Sequence, residues 1–180
     1  MSTIKLQDSY FESYISKDKI AEYVAYLADL VSKDLDENEI PIFIGILNGS
    51  FMFAADFVRE YPFDCHISFV KLASYNGTNS SGKIKQLVGL NEDLEGKTVI
   101  ILEDIVDTGN TLEEIYEIFK NKNVKDLKIA TLFFKPDVFR KPLPIDYIGK
   151  AIEDKFIVGY GLDYNGLGRN LSDIYKLVEN

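Results

Sequence analysis

One stretch of the sequence decides the fold: Val99-Ile-Ile-Leu-Glu-Asp-Ile-Val-Asp-Thr-Gly-Asn-Thr111. It begins as an apolar run typical of a buried strand, and it then carries three carboxylates, Glu103, Asp104 and Asp107, within five positions. Buried charges are costly unless a partner or a ligand compensates them. We therefore expect these carboxylates to face a bound ligand at the end of a strand.

The residues after the first two acids predict a cradle for a phosphate group. Residues 107–111 have the pattern of a turn into a helix, and Gly109 permits a positive φ in that turn. The N–H groups at a helix start, together with the Thr108 and Thr111 hydroxyls, suit a phosphate. Carboxylates repel phosphate, so the acids before the turn are expected to hold sugar hydroxyls, or Mg²⁺ through water. A phosphorylated sugar meets both conditions, whereas helix capping alone would account for only one of the acids.

Buried strands alternate with helices along the chain, which predicts an α/β fold with a mainly parallel central sheet flanked by helices. Helices are predicted over 16–35, 51–59 and 111–120. Strands are predicted over 40–47, 66–72, 98–102 and 127–134, with 84–88 returning on the second strand as a hairpin. After Pro136 only short strands follow, at 147–152 and 156–160. We expect one domain over 1–180, with a core over about 16–135 and a smaller hood lobe from 1–15 and 136–180.

Polar residues follow three of the predicted strands at their carboxyl ends. Asn48 and Gly49 follow the first strand, the acids follow the third, and Lys135 follows the fourth. Ligands of open parallel sheets bind in the crevice outside these strand ends. The sequence therefore predicts one crevice that collects all three groups.

Composition excludes several classes of function. The 180 residues carry a formal net charge of −9 and no basic block, so we expect neither a nucleic acid nor a membrane surface as partner. Cys65 and His66 are single residues of their types, which rules out a disulfide framework and a multi-Cys/His zinc site. The first residues lack the apolar segment of a secretion signal, and we expect a cytoplasmic protein.

The 99–111 stretch resembles the motif that binds 5-phosphoribosyl-1-pyrophosphate (PRPP) in type I phosphoribosyltransferases: a hydrophobic strand, two acids and Asp-Thr-Gly-x-Thr. Further segments are similar to the hypoxanthine-guanine phosphoribosyltransferases: Leu47-Asn-Gly-Ser-Phe-Met-Phe53, Leu72-Ala-Ser-Tyr75, and Asp154-Lys-Phe-Ile-Val-Gly-Tyr-Gly-Leu-Asp-Tyr-Asn165 with Arg169 beyond. Their order and spacing cover nearly the whole chain. The resemblance implies purine salvage, in which PRPP and a 6-oxopurine, hypoxanthine or guanine, give a nucleoside 5′-monophosphate and pyrophosphate.

The resemblance also implies roles around PRPP. The 5-phosphate is expected on Asp107, Thr108, Gly109, Asn110 and Thr111. Glu103 and Asp104 are expected to bind the ribose hydroxyls and the Mg²⁺ cofactor, with Asp163 near a second metal ion. Asp107 is in addition the implied general base, within reach of purine N7. The implied pyrophosphate contacts are Asn48, Gly49 and Arg169.

On the purine side, the resemblance implies that Lys135 donates to the exocyclic oxygen and that Phe156 stacks on the base. Ile157 is expected to contact the purine edge through its backbone, with Asp163 close by. Ser74 and Tyr75 begin a polar loop that is implied to close over the reacting centre and exclude water. One departure is Asn48, because many relatives have Lys or Arg there, and Asn48 brings no positive charge to the pyrophosphate loop.

Two alternatives remain open at this stage. A regulator that kept the fold as a PRPP sensor would share the motif, although such proteins usually need a basic surface or an added domain. A transferase for adenine, xanthine or a pyrimidine is the nearer alternative, and Lys135 with Phe156 favours a 6-oxopurine over these. The family expectation for assembly is a homodimer or homotetramer.

Overall fold

The computed structural model describes residues 2–76 and 83–178, and within 73–88 it describes only the backbone. The strands are β1 (Thr3–Leu6), β2 (Ser9–Ile15), β3 (Ile42–Ile46), β4 (His66–Asn76), β5 (Lys83–Val88), β6 (Thr98–Val106), β7 (Asp126–Phe134), β8 (Tyr147–Ala151), β9 (Ile157–Val158) and β10 (Ile174–Leu177). The helices are α1 (Lys17–Asp34), α2 (Phe51–Glu60) and α3 (Asn110–Lys120). The predicted alternation of strands and helices in the first part of the chain is confirmed.

The central sheet has six strands in the order β5-β4-β3-β6-β7-β8. All neighbours in it run parallel except β4 and β5, which form the expected antiparallel hairpin. Because β3, β6 and β7 are adjacent and parallel, their carboxyl ends open on the same edge of the sheet. The mainly parallel α/β architecture predicted from the sequence is confirmed.

Both faces of the central sheet are covered, and alternate residues of each strand serve the two faces. Ile100 and Leu102 of β6 pack with α1 and α2 in one core, whereas Val99 and Ile101 pack with α3 in the other. All five residues of β3 are buried, as a strand covered on both sides requires.

Helix α1 begins where its cap predicts, because the Ser16 hydroxyl accepts a hydrogen bond from the Lys19 N–H. Its buried face repeats at helical spacing through Ile20, Val24, Leu27 and Val31. In the described part of the chain, no helix combines the length and the apolar character that crossing a bilayer requires.

A second, four-stranded sheet in the order β1-β2-β10-β9 forms the hood, and its described neighbours are all antiparallel. One detail of the predicted hood is wrong, since β8 lies in the 136–180 tail but pairs with β7 and extends the central sheet. Its short sequence carries no helical crossover pattern that would have marked it as a central strand. The hood sheet therefore takes 3–15 from the start of the chain and only 157–177 from its end.

Candidate functional site

The turn between β6 and α3 forms an open cradle. Gly109 has φ 82° and is the residue that caps α3, and no side chain accepts a hydrogen bond at this cap. A cavity of about 240 Å³ lies over the turn and is lined by Glu103, Ile105, Val106, Asp107, Thr108, Gly109, Asn110, Thr111 and Leu112. A helix start whose cap supplies no acceptor presents its first N–H groups to a ligand, and an anion suits them best. The structure thus brings the five predicted phosphate residues together.

A segment that the sequence analysis did not single out supports this cradle. A Cβ on Gly109 would lie 2.6 Å from the Phe139 ring and 3.0 Å from Lys141 Cγ, so the turn packs tightly against this segment. Lys141 Nζ also contacts Glu113 Oε2 on the first turn of α3, at 2.8 Å. The sequence offers little indication that this segment supports the cradle, because residues 136–146 show no helical or strand periodicity.

Glu103 and Asp104 lie within β6, which continues to Val106 rather than ending at the acids. The strict alternation of the strand breaks at this point, since Leu102 and Ile105 both pack on the core beside α1 and α2. Because of this break, neither Glu103 nor Asp104 occupies a regular core-facing position of the strand. The strand therefore extends four residues beyond its predicted end at Leu102.

Burial raises the pKa of both acids. Asp104 is 5% exposed, and its pKa rises to about 6, mainly through burial, with the backbone N–H groups of Ile105 and Asp104 and the charge of Arg169 acting in the opposite direction. The pKa of Glu103 rises well above its usual range through burial and the neighbouring Asp104 charge. Glu103 Oε2 is buried and has no hydrogen-bond partner among the described residues. An acceptor in this state fits a ligand that supplies hydroxyl donors or a cation.

Two loops close on Asp104 of β6, one through Gly49 and the other through Gly161. A Cβ on Gly49 would lie 2.0 Å from Asp104 Oδ2, and a Cβ on Gly161 would lie 2.1 Å from the Gly49 carbonyl oxygen. Glycine is required at both positions because of these close approaches. The peptide bond between Leu47 and Asn48, in the loop that follows β3, is cis.

Arg169 and Asp163 lie beside this junction and form an ion pair. Arg169 Nη2 lies 2.5 Å from Asp163 Oδ1, and its Nη1 donates to the Gly161 carbonyl at 2.6 Å. The other Asp163 oxygen accepts a hydrogen bond from the Gly166 N–H at 2.7 Å. Both Asp163 oxygens thus have partners in the protein, in contrast to Glu103 Oε2.

Lys135 joins the phosphate side of the site to the side expected to bind the base. It is 5% exposed, and its Nζ lies 3.3 Å from Asp107 Oδ2 and 3.1 Å from Asp154 Oδ1. A buried ammonium needs such partners. Asp154 has no role among the residues predicted from the sequence, although it begins the segment that contains Phe156.

Phe156 presents an open aromatic face. It is 48% exposed, and its ring contacts Phe11 and Tyr164 at centroid distances of 6.4 and 5.8 Å in tilted and edge arrangements. Ile157 is buried in β9 and packs in the core. Its backbone contact with the purine edge stays a prediction. Ser74 and Tyr75 belong to β4, where they pair with Lys85 and Ile84 of β5. Their side chains and the loop 77–82 lie outside the described residues.

A metal site made only of protein side chains is absent from the described residues: 2–76 and 83–178 contain no group of three or more His, Cys, Asp or Glu suited to an ion. The carboxylates of Glu103 and Asp104 nonetheless fit Mg²⁺, since this ion often takes one or two carboxylates and completes its shell with water and ligand oxygens. The unpartnered Glu103 Oε2 is the observation that supports this fit.

Comparison with known proteins agrees with the geometry. Residues 9–165 match the phosphoribosyl transferase domain family. The hypoxanthine-guanine phosphoribosyltransferase of Staphylococcus epidermidis is 38% identical over 164 residues, covering 91% of each chain. The hypoxanthine phosphoribosyltransferase of Escherichia coli K12 is 39% identical over 163 residues, covering 88% of this chain and 92% of the relative.

Solved structures show the same likeness. The crystal structure of a hypoxanthine-guanine phosphoribosyltransferase from Bacillus anthracis superposes with a TM-score of 0.83 at 36% identity, covering 93% of this chain and 98% of the other. The identities and coverage exceed what a shared fold alone would produce. The chain belongs to the phosphoribosyltransferase family and, within it, to the hypoxanthine-guanine phosphoribosyltransferases.

Proposed function

We propose that this protein transfers the 5-phosphoribosyl group of PRPP to hypoxanthine, guanine or both, and releases pyrophosphate. The observation that carries the proposal is the contact between Lys135 Nζ and Asp107 Oδ2, at 3.3 Å. Asp107 belongs to the phosphate cradle, and Lys135 has the chemistry to recognise a purine oxygen. The contact makes a sugar-phosphate site and a base site contiguous, as a bond between ribose and purine requires.

The cradle supports binding of the 5-phosphate. The uncapped start of α3 offers N–H donors, and Thr108 and Thr111 are exposed beside it. A phosphate there would place the ribose over the end of β6, where Glu103 and Asp104 accept hydrogen bonds from its hydroxyls. Mg²⁺, when bound near these acids, would neutralise charge on the pyrophosphate that leaves.

The base side favours a 6-oxopurine. Lys135 offers only donors, so it matches a carbonyl oxygen at the 6-position and opposes the amino group that adenine carries there. Phe156 offers its open face for stacking. Asp107 would lie between base and sugar, where its carboxylate would accept the N7 proton or stabilise positive charge on the purine.

Breaking the bond to pyrophosphate develops oxocarbenium character at the ribose carbon, as in glycosyl chemistry generally. The leaving group would lie against the Asn48–Gly49 backbone and Arg169. Asn48 adds no charge, so Arg169 is the chain's own cation at this position. Closure of the loop that follows Ser74 and Tyr75 stays a prediction, and its purpose would be to keep water from the reacting carbon.

One assay tests the proposal: PRPP and Mg²⁺ with hypoxanthine, guanine, xanthine or adenine, following nucleotide formation. We expect turnover with at least one of the first two bases, little with adenine, and loss of turnover when a chelator removes the metal. Absence of turnover with all four bases, combined with tight PRPP binding, would support the sensor alternative instead.

The expected cytoplasmic location and homodimeric or homotetrameric assembly rest on the sequence and on the family resemblance. Light scattering of the purified protein at several concentrations checks the assembly. A monomer at all concentrations would contradict it.

A further inference from the structure

The segment from Gly159 to Gly161, which lies between β9 and the Asp163–Arg169 pair, has an unusual backbone. All three residues have positive φ, at 106°, 47° and 100°. Glycine adopts this region freely, but a bulky residue such as Tyr160 does so rarely and at a cost. A tyrosine held there indicates that its side chain makes contacts that outweigh the strain.

The backbone of this segment contacts two of the residues expected to bind pyrophosphate, Gly49 and Arg169. Gly161 touches the Gly49 carbonyl so closely that no Cβ would fit, and its own carbonyl accepts the hydrogen bond from Arg169 Nη1 at 2.6 Å. The Gly161 N–H in turn donates to the Arg169 carbonyl at 3.0 Å. A shift of this segment would therefore move Arg169 and disturb Gly49 together.

The side chain of Tyr160 fixes the segment from the other side. It is 7% exposed, packs in the core beside α1 and α2, and donates from its hydroxyl to Asp56 Oδ2 at 2.6 Å. Asp56 lies on α2, the helix that directly follows the pyrophosphate loop. Burial, and then the bond to Asp56, raise the pKa of Tyr160, so its hydroxyl remains a donor at physiological pH.

We propose that Tyr160 and Asp56 form a positioning pair for pyrophosphate. Their hydrogen bond ties the segment that carries the Arg169 contact to the helix that carries the Asn48–Gly49 loop, so the two sides of the pyrophosphate site keep one spacing. Neither residue touches the reacting atoms. The inference rests on the proposed function, since it assumes that Gly49 and Arg169 meet pyrophosphate.

The test is Tyr160→Phe, which keeps the ring and removes the hydroxyl. We expect KM for PRPP in the forward reaction, and for pyrophosphate in the reverse reaction, to rise about tenfold, with KM for the purine unchanged. Asp56→Ala should act alike, and the double variant should be no worse than either single one. Asp56→Asn keeps an acceptor for the hydroxyl and should remain near wild type.

Tyr61→Phe is the matched control, because the Tyr61 hydroxyl is buried at the end of α2 and lacks a hydrogen-bond partner among the described residues. Removing it should leave both KM values unchanged. A Tyr160→Phe protein that melts earlier but keeps its KM for PRPP and pyrophosphate would overturn the proposal, and so would an equal rise in KM for the purine. If the wild-type protein shows no turnover, the proposed function is overturned instead. Calorimetry of pyrophosphate binding to wild type and to Tyr160→Phe then tests the positioning pair.

Discussion

At the scale of single residues, the site places acids where a soluble protein ordinarily avoids them. Glu103 Oε2 has no partner in the described structure, and Asp104 is almost fully buried. Such groups destabilise the ligand-free protein, because burial removes hydration that their described partners replace only in part. Their presence is consistent with a ligand that brings hydroxyl groups and a cation to this position.

Asp107→Asn separates binding from chemistry at the proposed general base. Asparagine keeps the size and the polar contacts of the cradle but cannot take up a proton, so we expect PRPP binding to persist while kcat falls about a hundredfold. Calorimetry with PRPP and steady-state rates measure the two effects. An equal loss of both would assign Asp107 to binding alone.

Asn48→Lys restores a cation to the pyrophosphate loop. The Asn48 side chain is exposed, so lysine fits without disturbing the core, and we expect turnover to persist while pyrophosphate binds about fivefold more tightly. Asn91→Lys, at an exposed position before β6, controls for the change in net charge. A folded but inactive Asn48→Lys protein would contradict the proposed role of this loop.

Gly49→Ala tests the junction of the loops. Its Cβ would lie 2.0 Å from Asp104 Oδ2, so the carboxylate must move, and we expect a loss of about 2 kcal/mol in the free energy of unfolding together with weaker PRPP binding. Gly96→Ala is the control: its φ of 66° strains a side chain, but the space around it is open. Urea unfolding and PRPP titration compare the two, and an unaffected PRPP affinity in Gly49→Ala would be the contrary result.

At the scale of elements, the two ends of the central sheet have different roles. The carboxyl ends of β3, β6 and β7 hold the site, whereas the opposite end ties α1 to the sheet. There Tyr147 donates to Asp34 Oδ2 at 2.5 Å, and Lys128 pairs with the same carboxylate. The hydrogen bonds from Lys128 and then Tyr147 lower the pKa of Asp34.

Asp34→Asn should weaken this tie in a pH-dependent way. A carboxyl whose pKa is lower in the folded protein adds stability above its unfolded pKa and loses it as the pH falls. We expect the variant to be less stable at neutral pH, by no more than about 1 kcal/mol because the carboxylate is half exposed, with the difference starting to decline only as the pH falls below about 4. Asp29→Asn, in an exposed helix pair with Lys33, is the control in urea unfolding. A pH-independent difference would refute the electrostatic origin.

At the scale of the whole molecule, the central sheet and the hood share one site. Arg169, Asp163 and Phe156 come from the tail that forms the hood. Gly161 of the same tail packs on the Gly49 carbonyl, and Gly49 packs on Asp104 of the central sheet. The net charge of −9 makes the few cations at this junction more significant, since no basic surface supports them. The buried carboxylates of Glu103 and Asp104 add a local negative charge that destabilises the ligand-free fold.

Stability of the ligand-free protein, measured in a chelator, should reveal that charge. The pKa of Asp104 is raised to about 6, so the folded protein holds this proton longer than the unfolded chain does, and the contribution to stability is lost as pH rises from about 4 through 6. Asp104→Asn lacks this ionisable group, so its free energy of unfolding should not fall over this pH range. Relative to wild type, it should become more stable by up to about 3 kcal/mol between the two ends of the range. Urea unfolding at both ends of the window measures it. A constant difference would argue against a buried charge.

Much of this arrangement could be predicted from local sequence. The cradle at 107–111 depends on one glycine and a helix start, and neighbouring residues in the sequence specify both. Asp154 could not be found in the same way, because its importance comes from Lys135, nineteen positions away along the chain. The Tyr160–Asp56 bond spans 104 positions and follows no periodicity.

The sequence by itself determined the α/β class, the order of the main elements and the motif expected to bind sugar phosphate, since period, capping and turn chemistry act over a few residues. Only the tertiary structure decided that β8 joins the central sheet, that Gly49, Asp104 and Gly161 close on one point, and that Lys135 bridges two acids. These features depend on the packing of distant segments, and steric exclusion and burial set them only when the whole chain has folded.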